Sequence, residues 1–238
     1  TNLIAEIIPS TPRDPNPPGT ITPSKPLSSF TLCGSFSYVS ESILGRAMKQ
    51  RRVKIRTHDL RRWSPDKKHH KVDDRPYGGG PGMVMRAEPI LKAVMKVLSV
   101  VKGKNKKILI INFIPSAEKF TTSYAKTISK KYTDIILICG RYEGIDARID
   151  KILKTKKLSI GDYVLTGGEL PAMILIDCIS RQILGVLGKY ESLEEERVST
   201  SEVYTRPEKL IYKGKKYNVP KILLSGNHKK IEEWKKRK

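Results

Sequence analysis

The residues best suited to chemistry in this chain lie between Leu158 and Pro171. Apolar positions at Ile160, Val164 and Leu165 lead into the pair Gly167-Gly168, and Glu169-Leu170-Pro171 then opens a helix with proline near its first turn. Two adjacent glycines let a backbone approach a bound molecule closely, because no Cβ stands in the way. The exposed amides of a helix start lie just behind them. That combination suits a small-molecule pocket walled by main chain; it also suits a tight strand-to-helix turn with no ligand. A second glycine-rich segment follows two carboxylates and an arginine: Asp73, Asp74 and Arg75, then Pro76-Tyr77-Gly78-Gly79-Gly80-Pro81-Gly82-Met83. It reads either as a rim that closes over a flat ring or as an inert loop. It is not G-x-G-x-x-G, and G-x-x-x-x-G-K-[ST] occurs nowhere in the chain, so a phosphate loop or a dinucleotide fold finds no support.

The elements that must position these residues are read from hydrophobic pattern. Lys107 to Ile114 and Asp134 to Cys139 are continuous apolar runs, as expected of strands covered on both faces. Ser42 to Lys49 reads as a short helix and Val53 to Arg56 as a strand. Glu88 onward has Leu91, Val94, Met95 and Leu98 at one-face helical spacing. Glu118 to Lys131 and Pro171 to Ile183 also read as helices. Strands alternating with helices indicate a parallel α/β sheet. Ligands in such sheets bind beyond the carboxyl ends of the strands. Three such ends, at Ile114-Pro115, Gly140 to Glu143 and Leu165 to Gly168, can therefore build one pocket. Asp177 and Arg181 lie four apart on one helix face, the spacing of an ordinary intrahelical ion pair.

At 238 residues the chain can bury a substantial core. Its 46 Lys and Arg against 24 Asp and Glu leave a net charge of +22, which favours a polyanionic partner, nucleic acid first. No long apolar span points to a membrane. The loop Arg61 to Lys71 is basic and carries one aromatic, Trp63. This suits phosphate contacts with base stacking, or an exposed loop whose tryptophan is tucked into the core. Cys33, Cys139 and Cys178 form neither a disulfide framework nor a zinc motif, which fits a reducing cytoplasm. The four histidines have no metal-ligand spacing, and no metal site is expected. Residues 1–29 are rich in Pro, Ser and Thr and read as a mostly disordered leader. Residues 30–188 form the α/β domain and 189–203 an acidic linker. Residues 204–238 form a small basic domain with a hairpin near Gly214 and a final helix.

Five segments stand together in one order. They are Val72 to Met83, Cys139 to Asp146, Ser159 to Ala172, Tyr204-Thr205-Arg206-Pro207-Glu208, and Leu223 to His228. In these, from about Ser40 to Trp234, the chain resembles the bacterial tRNA (guanine-N1)-methyltransferases of the knotted SPOUT class. The resemblance implies an α/β fold whose parallel sheet carries a deep trefoil knot, plus a small, mainly helical C-terminal domain. It implies a homodimer, and S-adenosylmethionine bound bent in the knot. The implied walls are Ile110, Ile111, Asn112 and Pro115; Gly140, Tyr142 and Glu143; Ile160, Gly161, Asp162, Tyr163, Val164 and Leu165; and Gly167, Gly168 and Pro171. The implied substrate is the guanosine 3′ of the tRNA anticodon, methylated at N1 to maintain reading frame. Its implied contacts are Asp73, Tyr77, Gly80, Pro81, Gly82, Met83, Asp177, Ser225, Asn227 and His228.

Guanine N1 carries a proton and must lose it to act as a nucleophile. A carboxylate within reach can take that proton, and an arginine can stabilise the negative charge that grows on O6. In the family these are an Asp of the interdomain linker and an Arg on the helix after the Gly-Gly turn. Arg181 matches the arginine. The linker here has no Asp, and counting from Gly188 and Ser192 places Glu196, with Glu195 beside it, at the family's position. The family's Ser-Pro-x-Gly is here Ile114-Pro115-Ser116-Ala117. A non-catalytic basic RNA-binding protein with the same fold, or methylation of another RNA, are the competing readings.

Overall fold

Every residue of the strand Asp134–Cys139 is buried, because helices cover both faces of the sheet it belongs to. The computed structural model describes residues 3–7, 42–101, 105–187 and 202–236. The chain divides into two compact units, residues 1–187 and 188–238.

The strands of the first unit are β1 (Leu3–Ile7), β2 (Ile55–Asp59), β3 (Asp73–Asp74), β4 (Val84–Met85), β5 (Ile108–Phe113), β6 (Asp134–Cys139) and β7 (Lys156–Leu158). Its helices are α1 (Ser42–Lys49), α2 (Ala87–Val100), α3 (Thr122–Lys131), α4 (Arg148–Leu153) and α5 (Glu169–Ser180). Five strands form one sheet in the order β2-β1-β6-β5-β7, and β3 pairs with β4 separately. The β5–β6 and β5–β7 pairs are parallel. β1 departs from the parallel expectation: it runs antiparallel to β2 and β6, with Ile4 opposite both His58 and Ile138. It lies within the N-terminal stretch read as mostly disordered. Leu3–Ile7 ends before the first proline, Pro9, so its amides are free to complete the ladder on both sides.

Alternation along β6 sends Ile135, Leu137 and Cys139 into one core with Leu109, Ile111, Ala125, Ile128, Leu175 and Ile179. Ile136 and Ile138 point the other way, against Ile90, Val94, Val97 and Ile149. The period of two on a doubly covered strand is why its sequence reads as unbroken apolar residues. Trp63 packs against this second core, so the structure places its ring against protein. The basic residues around it remain on the surface, and Asp66 accepts backbone hydrogen bonds from Lys68 and His69.

Two local differences bear on the site. The third helix starts at Thr122, not Glu118, because Thr121 caps it by accepting from the Tyr124 amide. Residues 114–121 are thereby released to run beside β7. The strand expected around Ile160 to Leu165 lies earlier, at Lys156–Leu158, and residues 159–168 form a loop.

In the second unit β8 (Lys209–Tyr212) and β9 (Lys215–Asn218) pair antiparallel. Lys213 and Gly214 form the turn with positive φ at both positions. Helix α6 (His228–Lys235) is capped by Asn227, which accepts from the Lys230 amide. Among the described residues this unit holds a hairpin, a short 3-10 turn and a helix, more mixed than the mainly helical expectation.

Ile111 is fully buried in the first core. Ile111→Ala is expected to lower stability by about 2–5 kcal/mol, the usual cost of a large-to-small change in a packed core. Urea unfolding followed by circular dichroism measures it, and an unchanged midpoint contradicts the packing described.

Candidate functional site

The carboxyl ends of β5, β6 and β7 open onto one cavity of about 440 Å³. β5 contributes Asn112 and Phe113, with Ile114 and Pro115 beyond it. β6 continues into Gly140 to Ile145. β7 delivers Leu158 to Ile160, then Tyr163 to Gly168 and Pro171 of α5.

Main-chain contacts hold these ends in place. The Ile114 amide donates to the Leu158 carbonyl at 3.0 Å, and the Phe120 amide to the Ser159 carbonyl at 2.7 Å. The Ser159 amide returns a bond to the Glu118 carbonyl at 2.8 Å. Ion pairs Lys156–Glu118 and Lys119–Asp162 lie along the same seam. Both are largely exposed and contribute little by themselves.

The closest approach is between the start of α5 and the end of β6. The Gly168 amide donates to the Gly140 carbonyl at 2.8 Å. A Cβ on Gly168 would stand 2.7 Å from the Cα of Cys139. That neighbour is backbone and cannot swing aside. A Cβ on Gly167 would meet the Glu169 carboxylate, which is engaged with Arg141 Nε at 2.8 Å. Burial, reinforced by the charge of Glu169, pushes the Cys139 thiol far above its ordinary range, so it stays protonated and inert.

The turn after β6 is strained in one place. Tyr142 has φ of +59° and an exposed side chain. Such conformations persist where the surroundings over-determine them. Here the surroundings are the second glycine-rich segment. The Glu143 amide donates to Met83 O at 3.0 Å, Met85 N to Gly144 O at 2.9 Å, and Asp146 N to Met85 O at 3.0 Å. Gly82 lies against the Glu143 side chain, which occupies the space a Cβ would need. The Asp73 to Met83 stretch is thus joined to the cavity rim through Met83, while Tyr77 is fully exposed.

A cavity of this size takes a drug-sized molecule. Its back wall is main chain at Gly140, Gly167 and Gly168, and Phe113, Ile114, Leu158, Ile160, Val164 and Leu165 add apolar surface, which fits a ligand with a flat ring. Among the described residues, no group of three or more His, Cys, Asp or Glu is placed to hold a metal ion. No helix there is long and apolar enough to cross a membrane.

The family model described as tRNA (Guanine-1)-methyltransferase TrmD matches residues 31–238. The chain belongs to this family. It is 46% identical over 204 residues to a tRNA (guanine-N(1)-)-methyltransferase of Clostridioides difficile, covering 84% of this chain and 85% of the relative. Identity to that of Thermomicrobium roseum is 49% over 213 residues, with 87% and 76% covered. For that of Ruminiclostridium cellulolyticum it is 47% over 200 residues, with 82% of each covered. As a methyltransferase family it requires a methyl donor.

Asn112, Pro115, Gly140, Tyr142 and Glu143 line the cavity. So do Ile160, Tyr163, Val164, Leu165, Gly167, Gly168 and Pro171. Ile110 and Ile111 do not: β5 is covered on both faces, and these two fill the opposing cores. Gly161 and Asp162 also stay out of the lining. The Tyr163 ring packs on Gly161, and Asp162 turns outward to Lys119. Arg181 and Asp177 are partly buried near the end of α5, away from the lining; Arg181 N donates to Asp177 O at 3.1 Å. Ser225 and Asn227 make local turn and cap bonds, and His228 opens α6. Glu196 and Glu195 lie outside the described residues. Asp150 and Lys157 line the cavity without having been anticipated. The available signal was Asn112, a polar residue in an apolar strand that had to find a buried partner.

Gly168→Ala should overpack the β6–α5 contact. The expected costs are about 1–3 kcal/mol of stability and a clear loss of ligand affinity, since the cavity wall itself must shift. Calorimetric titration and thermal unfolding measure the two; wild-type values for both contradict the close approach.

Proposed function

We propose that this protein transfers a methyl group from S-adenosylmethionine to N1 of the guanosine 3′ of the tRNA anticodon. The single observation that carries the reading is the main-chain wall at Gly140, Gly167 and Gly168 in a chain of this family. A purine ring presents edge donors and acceptors that backbone amides and carbonyls satisfy, and only glycine lets the backbone come close enough. S-adenosylmethionine, when bound, would supply a methyl group already activated on a sulfonium, with S-adenosylhomocysteine as the neutral leaving group once the N–C bond to guanine N1 forms. The chain's own part is position and proton handling. Glu196 accepts the N1 proton, and Arg181 balances the charge that develops on O6.

The same reading includes the trefoil knot and the homodimer. The loop 159–168 returns to the end of β6 through the Gly168–Gly140 bond and the Arg141–Gly167 bridge, which suits a chain tucked through its own loop. Leu170 and Ile174, four apart on α5, are 53% and 44% exposed, and Val164 is 81% exposed. An apolar helix face open to water calls for a cover, and a second copy supplies it. In the dimer the linker of one subunit serves the cavity of the other. The net charge of +22 engages tRNA phosphates.

One experiment tests base, arginine and dimer together. Glu196→Gln and Arg181→Ala should each lower turnover about a hundredfold or more. Refolded together in equal amounts, they should recover about a quarter of wild-type turnover, because half the dimers then hold one intact site. Glu195→Gln is the control for a register slip. Wild-type turnover in the single variants overturns the residue assignment, and no recovery on mixing overturns the shared site.

A further inference from the structure

The hairpin of the second unit is open on both faces, since every residue of β8 and β9 is exposed. Its register sorts the side chains. Leu210 stands opposite Tyr217, and Tyr212 opposite Lys215, so these four share one face. Lys209, Ile211, Lys216 and Asn218 share the other. On the first face Leu210, Tyr212 and Tyr217 are 55%, 60% and 52% exposed. Lys213, in the turn, holds its Nζ 5.6 Å from the centroid of the Tyr212 ring. The Val219 amide donates to the Glu208 carbonyl at 3.0 Å and carries the ladder one step past the strands. Backbone pairing thus fixes the spacing of the two rings.

Large side chains left in water on a two-stranded ribbon call for a cover. Charge decides which. From Lys209 to Lys221 there are five lysines and no acid. A second copy of a chain with net charge +22 meets this face with charge of the same sign, which disfavours it. A polyanion meets it with the opposite sign. A fully paired duplex offers phosphates to the lysines but keeps its bases stacked on one another, and so leaves the rings unused. Unpaired bases present flat faces that aromatic side chains stack on, with the phosphates between them in reach of the lysines.

We propose that Tyr212 and Tyr217 form a stacking platform for unpaired bases of the substrate RNA, with Lys213 and Lys215 on the adjoining phosphates. The inference rests on the reading of tRNA as the substrate and adds to it a surface and a mode of contact. Net charge alone gives phosphate binding that any RNA satisfies. The two rings add a term that only unpaired bases satisfy, and that term separates a looped RNA from a duplex. Tyr212 and Tyr217 hold the substrate and take no part in the chemistry at guanine N1.

The test is the affinity of the full chain for a tRNA transcript with guanosine 3′ of the anticodon, and for a fully paired RNA duplex of the same length. The double variant Tyr212→Ala, Tyr217→Ala should weaken tRNA binding about tenfold or more and leave the duplex within about twofold. Tyr212→Phe with Tyr217→Phe keeps both ring faces, and should bind tRNA within about twofold of wild type. Tyr212→Trp adds indole emission that tRNA should quench and the duplex should not. These two aromatic variants keep the ribbon filled, so they test the proposal even where the alanine pair unfolds the hairpin. Lys215→Ala should weaken both RNAs and lower the salt slope by about one. Wild-type affinity in the alanine pair overturns the proposal. So do a tenfold loss in the phenylalanine pair, an equal loss of both RNAs in a folded alanine pair, and equal quenching by both RNAs. A change from dimer to monomer in the alanine pair marks the face as an interface between copies and also overturns it. Failure of wild type to bind the tRNA more tightly than the duplex overturns the substrate reading itself.

Discussion

The approach of Gly168 to the backbone of Cys139 and Gly140 is the constraint on which the site depends. It brings the start of α5 against the end of β6 with no side chain between them. The cavity's back wall is that contact. Any Cβ there pushes on main chain, and main chain inside a doubly covered sheet has nowhere to go. The neighbouring Arg141–Glu169 pair and the Arg141–Gly167 bridge then fix the angle at which the loop 159–168 leaves the wall.

The sheet makes this contact possible by being buried on both faces. β6 contributes residues to two cores, so its end is held from either side. β5 and β7 run parallel beside it, and all three carboxyl ends therefore arrive at the same edge. The ligand site lies where strand order and helix starts leave a crevice, the usual place in open α/β sheets. The chemistry proposed there asks little of any one side chain beyond a base and an arginine. Most of what it asks is orientation, which rigid strand ends supply.

How much of this was legible in the residues depends on how locally each feature is determined. β6 and α2 were, because an unbroken apolar run and a one-face helical spacing are local signals. The Gly167-Gly168 break was as well, since two glycines before a helix have few other uses. Ile110 and Ile111 pack against the two cores for a physical reason: the side chains of a doubly covered strand belong to the core until the strand ends. Leu3–Ile7 was hidden by the prolines that follow it, although none falls within it. The late start of α3 turned on the Thr121 cap, and the exposed pattern of 114–121 gave no sign that it runs beside β7. The Asp150–Lys157 side of the lining was the least legible. It is assembled by tertiary placement of a six-residue helix and a three-residue strand, too short to show a period.

The measurement that tests the account most directly is methyl transfer from labelled S-adenosylmethionine to two tRNA transcripts, with the modified nucleoside identified by mass spectrometry. One transcript carries guanosine 3′ of the anticodon and the other adenosine there. The account predicts one methyl group at N1 of that guanosine in the first transcript and none in the second. Equal labelling of both, methylation at another atom, or binding of the guanosine transcript without any transfer would contradict it.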